Sequence, residues 1–276
     1  MLKMIATIAF AALGLAACGG GSDGGSAQPA AKTMKLSLYG QPLVKSSTTA
    51  HTQVVPVAAA ASSTTATNAD ATATVDALQA ALTARGVTAD VTAQVMDGTT
   101  LHQIVMGENN GLPPTPDQFK TDPSGYLIVN FQLDDMVTPG TDPAQIAAVK
   151  QFVQDLIVFA QRASVSGKLV YAVQPIQTCD APNGTGASFA LQSAIIQASQ
   201  KTLIGQVGSI PFGVAFGSDG QPLPSPDLAH LGTDCRTPDA YLLNMRTNAI
   251  ADYIAALYKE SAAPASAASG ASTAGT

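Results

Sequence analysis

Residues 126–131 read Tyr-Leu-Ile-Val-Asn-Phe, a nearly unbroken apolar run of strand length. A strand without alternation has to be covered on both faces, as in the interior of a parallel sheet. Residues 35–39, 91–95, 168–173 and 210–216 are further strand candidates, and 91–95 alternates apolar with polar side chains. Helical patterns separate them. Residues 75–85 form one, ended by Gly86. Asp142, Pro143 and Gln145 stand at N-cap, N1 and N3 of the next, with Ile146, Val149, Phe152, Val153, Leu156, Ile157 and Ala160 at helical spacing and Gly167 at its end. Residues 187–204 read as a third helix. Thr237-Pro238 opens a last one, with Leu242, Met245, Ile250, Ile254 and Leu257 inward. The alternation predicts an α/β domain with a central parallel sheet of about five strands and helices on both faces. In such sheets ligands bind beyond the carboxyl ends of the strands.

The flanks have a different character. Lys3 precedes an apolar or small run over 4–13, then Gly14 and Leu15-Ala16-Ala17-Cys18-Gly19-Gly20. The run is too short for a permanent membrane span and reads as a cleaved signal segment. Leu15 to Cys18 resembles the lipobox of bacterial lipoproteins. That resemblance implies a signal peptide over 1–17, acylation of Cys18, and a lipid-anchored protein of the cell envelope. Gly19 is similar to the outer-membrane sorting pattern, facing the periplasm or the cell surface. Residues 18–34, rich in Gly, Ser and Ala, predict a flexible tether of roughly 20 Å. Residues 35–260 form one domain, with a long, partly ordered Ala/Thr/Ser loop over 46–74, and 261–276 form a disordered tail.

Lys and Arg total 13 against 19 acidic residues, and no basic patch is present, so nucleic acid is not expected as a partner. Cys179 and Cys235 remain once Cys18 is acylated. An oxidising compartment permits their bridge, which would contribute roughly 4 kcal/mol in the chain-entropy model. The alternative is two unpaired buried thiols, and the polar, turn-rich surroundings of both favour the bridge.

The segments after the strands carry the chemistry. Gly40-Gln41-Pro42-Leu43 follows the first, Asp97-Gly98-Thr99-Thr100 the second, Gln132-Leu133-Asp134-Asp135 the third, and Asp227-Leu228-Ala229-His230 precedes the last helix. These blocks resemble the SGNH or GDSL-type ester hydrolases over roughly residues 35–257. The resemblance implies a flavodoxin-like three-layer sandwich. It also implies a nucleophilic serine after the first strand, an oxyanion hole completed by a glycine after the second and an asparagine after the third, and a late Asp-x-x-His that supplies the base. Mapped onto this chain, Gly40 and Gly98 match. Asp227 and His230 stand at the catalytic pair. Pro42 stands at the nucleophile and Asp134 at the oxyanion asparagine, while Gln41 and Gln132 replace the acidic residue and the glycine.

Pro42 has no hydroxyl, and an ionised Asp134 would repel a developing oxyanion. The expectation is an inactive SGNH-like domain that binds or organises an envelope glycan or protein, with Asp227 and His230 vestigial. An active esterase, lipase or carbohydrate deacetylase with an atypical constellation is the alternative, and a chance resemblance of an unrelated α/β lipoprotein is the third reading. Ser37, Ser46 and Ser47 are the serines near the first strand. His102 reads as a partly exposed structural residue on a helix, and His51 has no comparable setting. No cofactor is expected, and the spacing of Asp134, Asp135, Asp227 and His230 is not specific for a metal.

Overall fold

The computed structural model of the protein describes residues 33–46, 63–108, 112–179, 185–212, 215–216, 218, 222–223 and 225–262. Strands β1 (Met34–Gly40), β2 (Ala89–Val95), β3 (Tyr126–Asn130), β4 (Leu169–Val173) and β5 (Ile204–Val207) form one sheet in the order β2-β1-β3-β4-β5. Every neighbouring pair is parallel. This is the flavodoxin-like order, whose switch point lies between β1 and β3. The helices are α1 (Ser63–Thr83), α2 (Leu101–Met106), α3 (Pro143–Val165), α4 (Ala187–Ser199) and α5 (Ala240–Ala262). A small antiparallel pair, β6 (Ala215–Phe216) with β7 (Pro222–Leu223), and a 3-10 helix (Pro226–His230) lie between β5 and α5.

Strand alternation sorts the core into two layers. Tyr39, Leu127, Val129, Val170, Ala172 and Ile204 face α2, α3 and α4, where Phe152, Leu156, Phe159 and Leu191 pack against them. Leu36, Leu38, Ile128, Tyr171, Val173 and Val207 face α1 and α5, against Leu78, Leu82, Ile250 and Ile254. The α/β fold expected from the strand–helix alternation, a central parallel sheet of five strands with helices on both faces, is therefore the observed one. Each fully buried large apolar side chain contributes about 1.5–3 kcal/mol.

The element edges differ from the sequence reading in several places. β1 starts at Met34, one residue into the expected linker, and α5 runs to Ala262, two residues past the expected domain end. The described part of the expected 46–74 loop is helical from Ser63, because Thr74 and Leu78, both fully buried, dock α1 onto the sheet. Residues 187–204 are not one helix: α4 stops at Ser199 and Ile204 opens β5. The expected strand over 210–216 is consequently displaced, leaving only Ala215–Phe216 in β6. Asp142 caps α3 as expected, accepting from Ala144 N at 2.8 Å, with Pro143 at N1. Gln145 does not close a capping box; it is buried and donates to the Asp135 carbonyl at 2.8 Å, while Ile146 beside it is 40% exposed. The last helix is capped by Asp239 rather than Thr237, through Tyr241 N (2.9 Å) and Leu242 N (3.2 Å). Cys179 and Cys235 are disulfide-bonded, with Cα atoms 5.4 Å apart. Cys18, His51 and the expected signal peptide lie outside the described residues, as do 263–276 of the expected tail. No helix among the described residues is long and apolar enough to cross a membrane.

Candidate functional site

The turn after β1 sits at the switch point. Gly40 pairs with Asn130 across β1 and β3 and has a left-handed φ of 92°. A Cβ there would lie 2.5 Å from the Asn130 carbonyl oxygen, so only glycine fits. Asn130, buried at the end of β3, locks the turn from the other side. Its Nδ2 donates to the Gln41 carbonyl at 2.8 Å and lies 3.4 Å from the Pro42 carbonyl. Its own carbonyl accepts Gln41 N at 2.7 Å.

The backbone donors of this turn are all engaged. Gln41 N bonds to Asn130, Pro42 has no N–H, and Leu43 N and Val44 N both donate to Thr74 Oγ1 at 3.0 and 3.3 Å. The position expected for a nucleophile thus has no hydroxyl, and the position expected for an oxyanion hole has no spare donor on this side. Ser37 is no substitute. It is fully buried, donates to Asp122 Oδ1 at 2.9 Å and lies 2.7 Å from Ser124 Oγ. Tyr39 OH donates to the other Asp122 oxygen at 2.8 Å, and burial together with this carboxylate pushes its phenol far up. Ser37 therefore belongs to a polar pin inside the α2–α4 layer. Ser46 N donates to Asp70, and Ser47 lies outside the described residues.

Asp227 and His230 both fall in the 3-10 helix, but they are not partners. Asp227 accepts from Ser225 Oγ at 3.2 Å, and His230 Nδ1 lies 2.7 Å from Asp239 Oδ2, nine residues on. The imidazole stacks on Tyr241 with ring centroids 4.2 Å apart. Its bond to Asp239, aided by the α5 backbone N–H groups, holds that carboxyl below the usual carboxylate range. The pair expected to be Asp227–His230 is thus His230–Asp239, and it fastens the start of α5.

A second imidazole–carboxylate pair lies in a cleft of about 400 Å³. Thr100 and Gln103 form a capping box that fixes the short α2, with Thr100 N donating to Gln103 Oε1 at 2.9 Å. This presents His102, whose Nδ1 lies 3.0 Å from Asp155 Oδ2 on α3. Gln151, one turn earlier, donates to Asp155 Oδ1 at 3.0 Å. The Asp155 side chain is 7% exposed and the His102 side chain 51%, so a buried carboxylate orients a ring that reaches solvent. Leu101, Leu133 and Phe152 supply apolar walls, and Gln132, Asp134 and Glu108 complete the rim.

Of the expected site residues, Asp134 lines this cleft and Gly98 precedes the loop that does. Gly98 has a left-handed φ of 95° with open space around its Cβ direction. Gly40 ends β1, and Gly98 and Asp134 follow the adjacent strands β2 and β3, all at the carboxyl edge. His230 does not line the cleft. Leu228 of the 3-10 helix and Leu231 just after it instead join the apolar cluster of Ile176, Ile210 and Val44, which follow β4, β5 and β1. No group of three or more His, Cys, Asp or Glu side chains among the described residues is placed to hold a metal.

The sequence reading missed Asn130, Gln151 and Asp155. Asp155 is 53 residues from His102, so spacing carried no signal for the pair. Its one visible trace is a charged residue on the apolar face of α3, between Phe152 and Leu156.

No family model matches the chain, and no curated protein sequence matches it. Among solved structures it is similar to a candidate SGNH hydrolase from Slackia heliotrinireducens, with a TM-score of 0.47 and 15% identity, over 81% of this chain and 100% of that one.

Proposed function

We propose that the chain is a cell-envelope lipoprotein, anchored through Cys18, whose α/β domain binds a polar ligand and does not hydrolyse esters. The turn after β1 carries this reading. Removing one oxyanion donor from a hydrolase already lowers its rate about 100- to 1000-fold. Here Pro42 replaces the nucleophile, and the N–H groups of Gln41, Leu43 and Val44 are bonded to Asn130 and Thr74. The ligand class follows from the cleft at the ends of β2 and β3. Its lining combines amide and carboxylate acceptors with apolar walls and contains no Lys or Arg. That set suits a hydroxyl-bearing envelope glycan, or a donor-rich protein surface, better than an anion.

The test is fluorophosphonate labelling beside a short-chain aryl ester assay. Neither labelling nor turnover above buffer is expected from the wild type. Pro42→Ser combined with Asp134→Asn should stay inactive too, because the turn's backbone donors remain engaged. Labelling of any serine in the wild type would overturn the reading.

The oriented imidazole of His102 favours a second reading, a hydrolase that activates water at this pair. Ester turnover that disappears in His102→Ala but survives in His230→Ala would establish it. Anchoring is tested separately. Cys18→Ser should leave the membrane fraction of cells, and a variant that stays membrane-bound would refute the lipid anchor.

A further inference from the structure

Arg246 lies on α5 and is 6% exposed. Its Nη2 donates to the Leu43 carbonyl at 3.1 Å, just past the switch-point turn. Its Nε is buried without any hydrogen-bond partner. No carboxylate among the described residues pairs with it; the ion pairs there join Arg85 to Asp252, His102 to Asp155 and His230 to Asp239. Burial alone pushes its pKa down to about 10.

The side chain is also closely seated. A Cβ on Gly208, directly after β5, would come within 3.3 Å of Arg246 Cγ and 2.9 Å of Ile250 Cγ1. Arg246 therefore meets both the loop after β5 and the loop after β1, at the carboxyl edge of the sheet. That is the edge at which sheets of this order take their ligands.

A guanidinium has five N–H donors, and leaving a buried one with a single neutral acceptor is costly. A purely structural arginine at this depth would be expected to have a carboxylate or several carbonyls around it. We propose that Arg246 is the anchor of an oxyanion site at the carboxyl edge of the sheet, binding a carboxylate or phosphate group through the guanidinium donors that the protein leaves unpaired. The planar fork suits both groups, since each accepts two parallel N–H bonds. This site is separate from the cleft at His102 and does not depend on how that cleft is used.

The test is thermal unfolding of the full chain in phosphate, in acetate and in chloride at matched ionic strength, for the wild type and for Arg246→Met, which keeps an apolar stem beside Gly208. Phosphate stabilises many proteins by exclusion from their surface, so the readout is the wild-type shift minus the shift of the variant. A saturable wild-type excess of about 5 °C or more is expected once the anion is 100-fold above its Kd. An excess in both anions, or the larger one in either, identifies which oxyanion the site takes. In chloride, Arg246→Met should melt no lower than the wild type, because an uncompensated buried charge has been removed. Equal shifts in the two proteins would overturn the proposal, as would a wild type that melts alike in all three salts. If Arg246→Met does not fold, Arg246→Lys serves instead. It keeps the charge and loses the fork, and its excess should fall by at least half; an unchanged excess would equally overturn the site.

Discussion

Gly40→Ala should unfold with a loss of about 3–5 kcal/mol, lowering the melting temperature by roughly 10 °C. Two costs combine. The left-handed φ of 92° is strained for any residue with a Cβ. The added methyl would also lie 2.5 Å from the Asn130 carbonyl oxygen, 2.8 Å from its carbon and 2.9 Å from Phe131 Cδ1. Two of those atoms are backbone of a central strand and cannot swing aside. Gly98→Ala is the matched control, since its φ of 95° is similar but nothing lies within 4 Å of its Cβ direction. It should lose only about 1 kcal/mol. Denaturant unfolding of both variants checks this, and equal losses would mean that β3 yields and that the turn is not clamped.

Replacing both cysteines of the Cys179–Cys235 bridge by serine should cost about 4 kcal/mol, the chain-entropy estimate for a closed loop of this size. The bridge joins residues 56 positions apart and is accompanied by a backbone bond from Cys179 N to the Cys235 carbonyl at 3.2 Å. Cys235 is also the only non-glycine with a positive φ among the described residues, at 58°. Serine inherits that strain, whereas glycine does not. Cys179→Ser with Cys235→Gly should therefore recover about 1 kcal/mol of the loss. Unfolding of oxidised and reduced wild type beside the two variants measures all three quantities. A reduced wild type as stable as the oxidised protein would show that the bridge does not constrain the chain.

The contrast between these positions shows what a sequence can carry. The 126–131 run, the Asp142-Pro143 start of α3 and the Leu242 to Ile254 spacing of α5 are local patterns, and each became the element it suggests. The boundary between α4 and β5 is not local. Leu203 and Ile204 continue the helical spacing of Ile195 and Ile196, and neither glycine nor proline marks the break at Lys201–Thr202. Pairing of Val170 with Ile204 in the sheet decides it. The start of α1 was hidden for the opposite reason. Its Thr- and Ala-rich composition suggests a loop, and burial of Thr74, Leu78 and Leu82 overrides the weak propensity.

The candidate site follows the same division. Gly40 and Pro42 could be placed by sequence because a turn is a run of neighbours. A carboxylate three residues before His230 was the visible partner, but the side chain turns to Asp239, which also caps the next helix. Partnerships such as His102 with Asp155 are made by two elements that meet only after folding.

β1 has one more consequence. All five strands run the same way, so the chain enters the domain at Met34 on the edge opposite the cleft and Arg246. Helix α5 runs back toward that same edge, where Asp252 meets Arg85 just ahead of β2. Both ends of the described domain are therefore gathered on one side, about 20 Å, one strand length, from the carboxyl edge of the sheet. Attachments can be made at either terminus without standing in the way of whatever docks at the other pole. A fusion partner, an affinity tag or a surface for immobilisation placed there should leave that pole open to solvent.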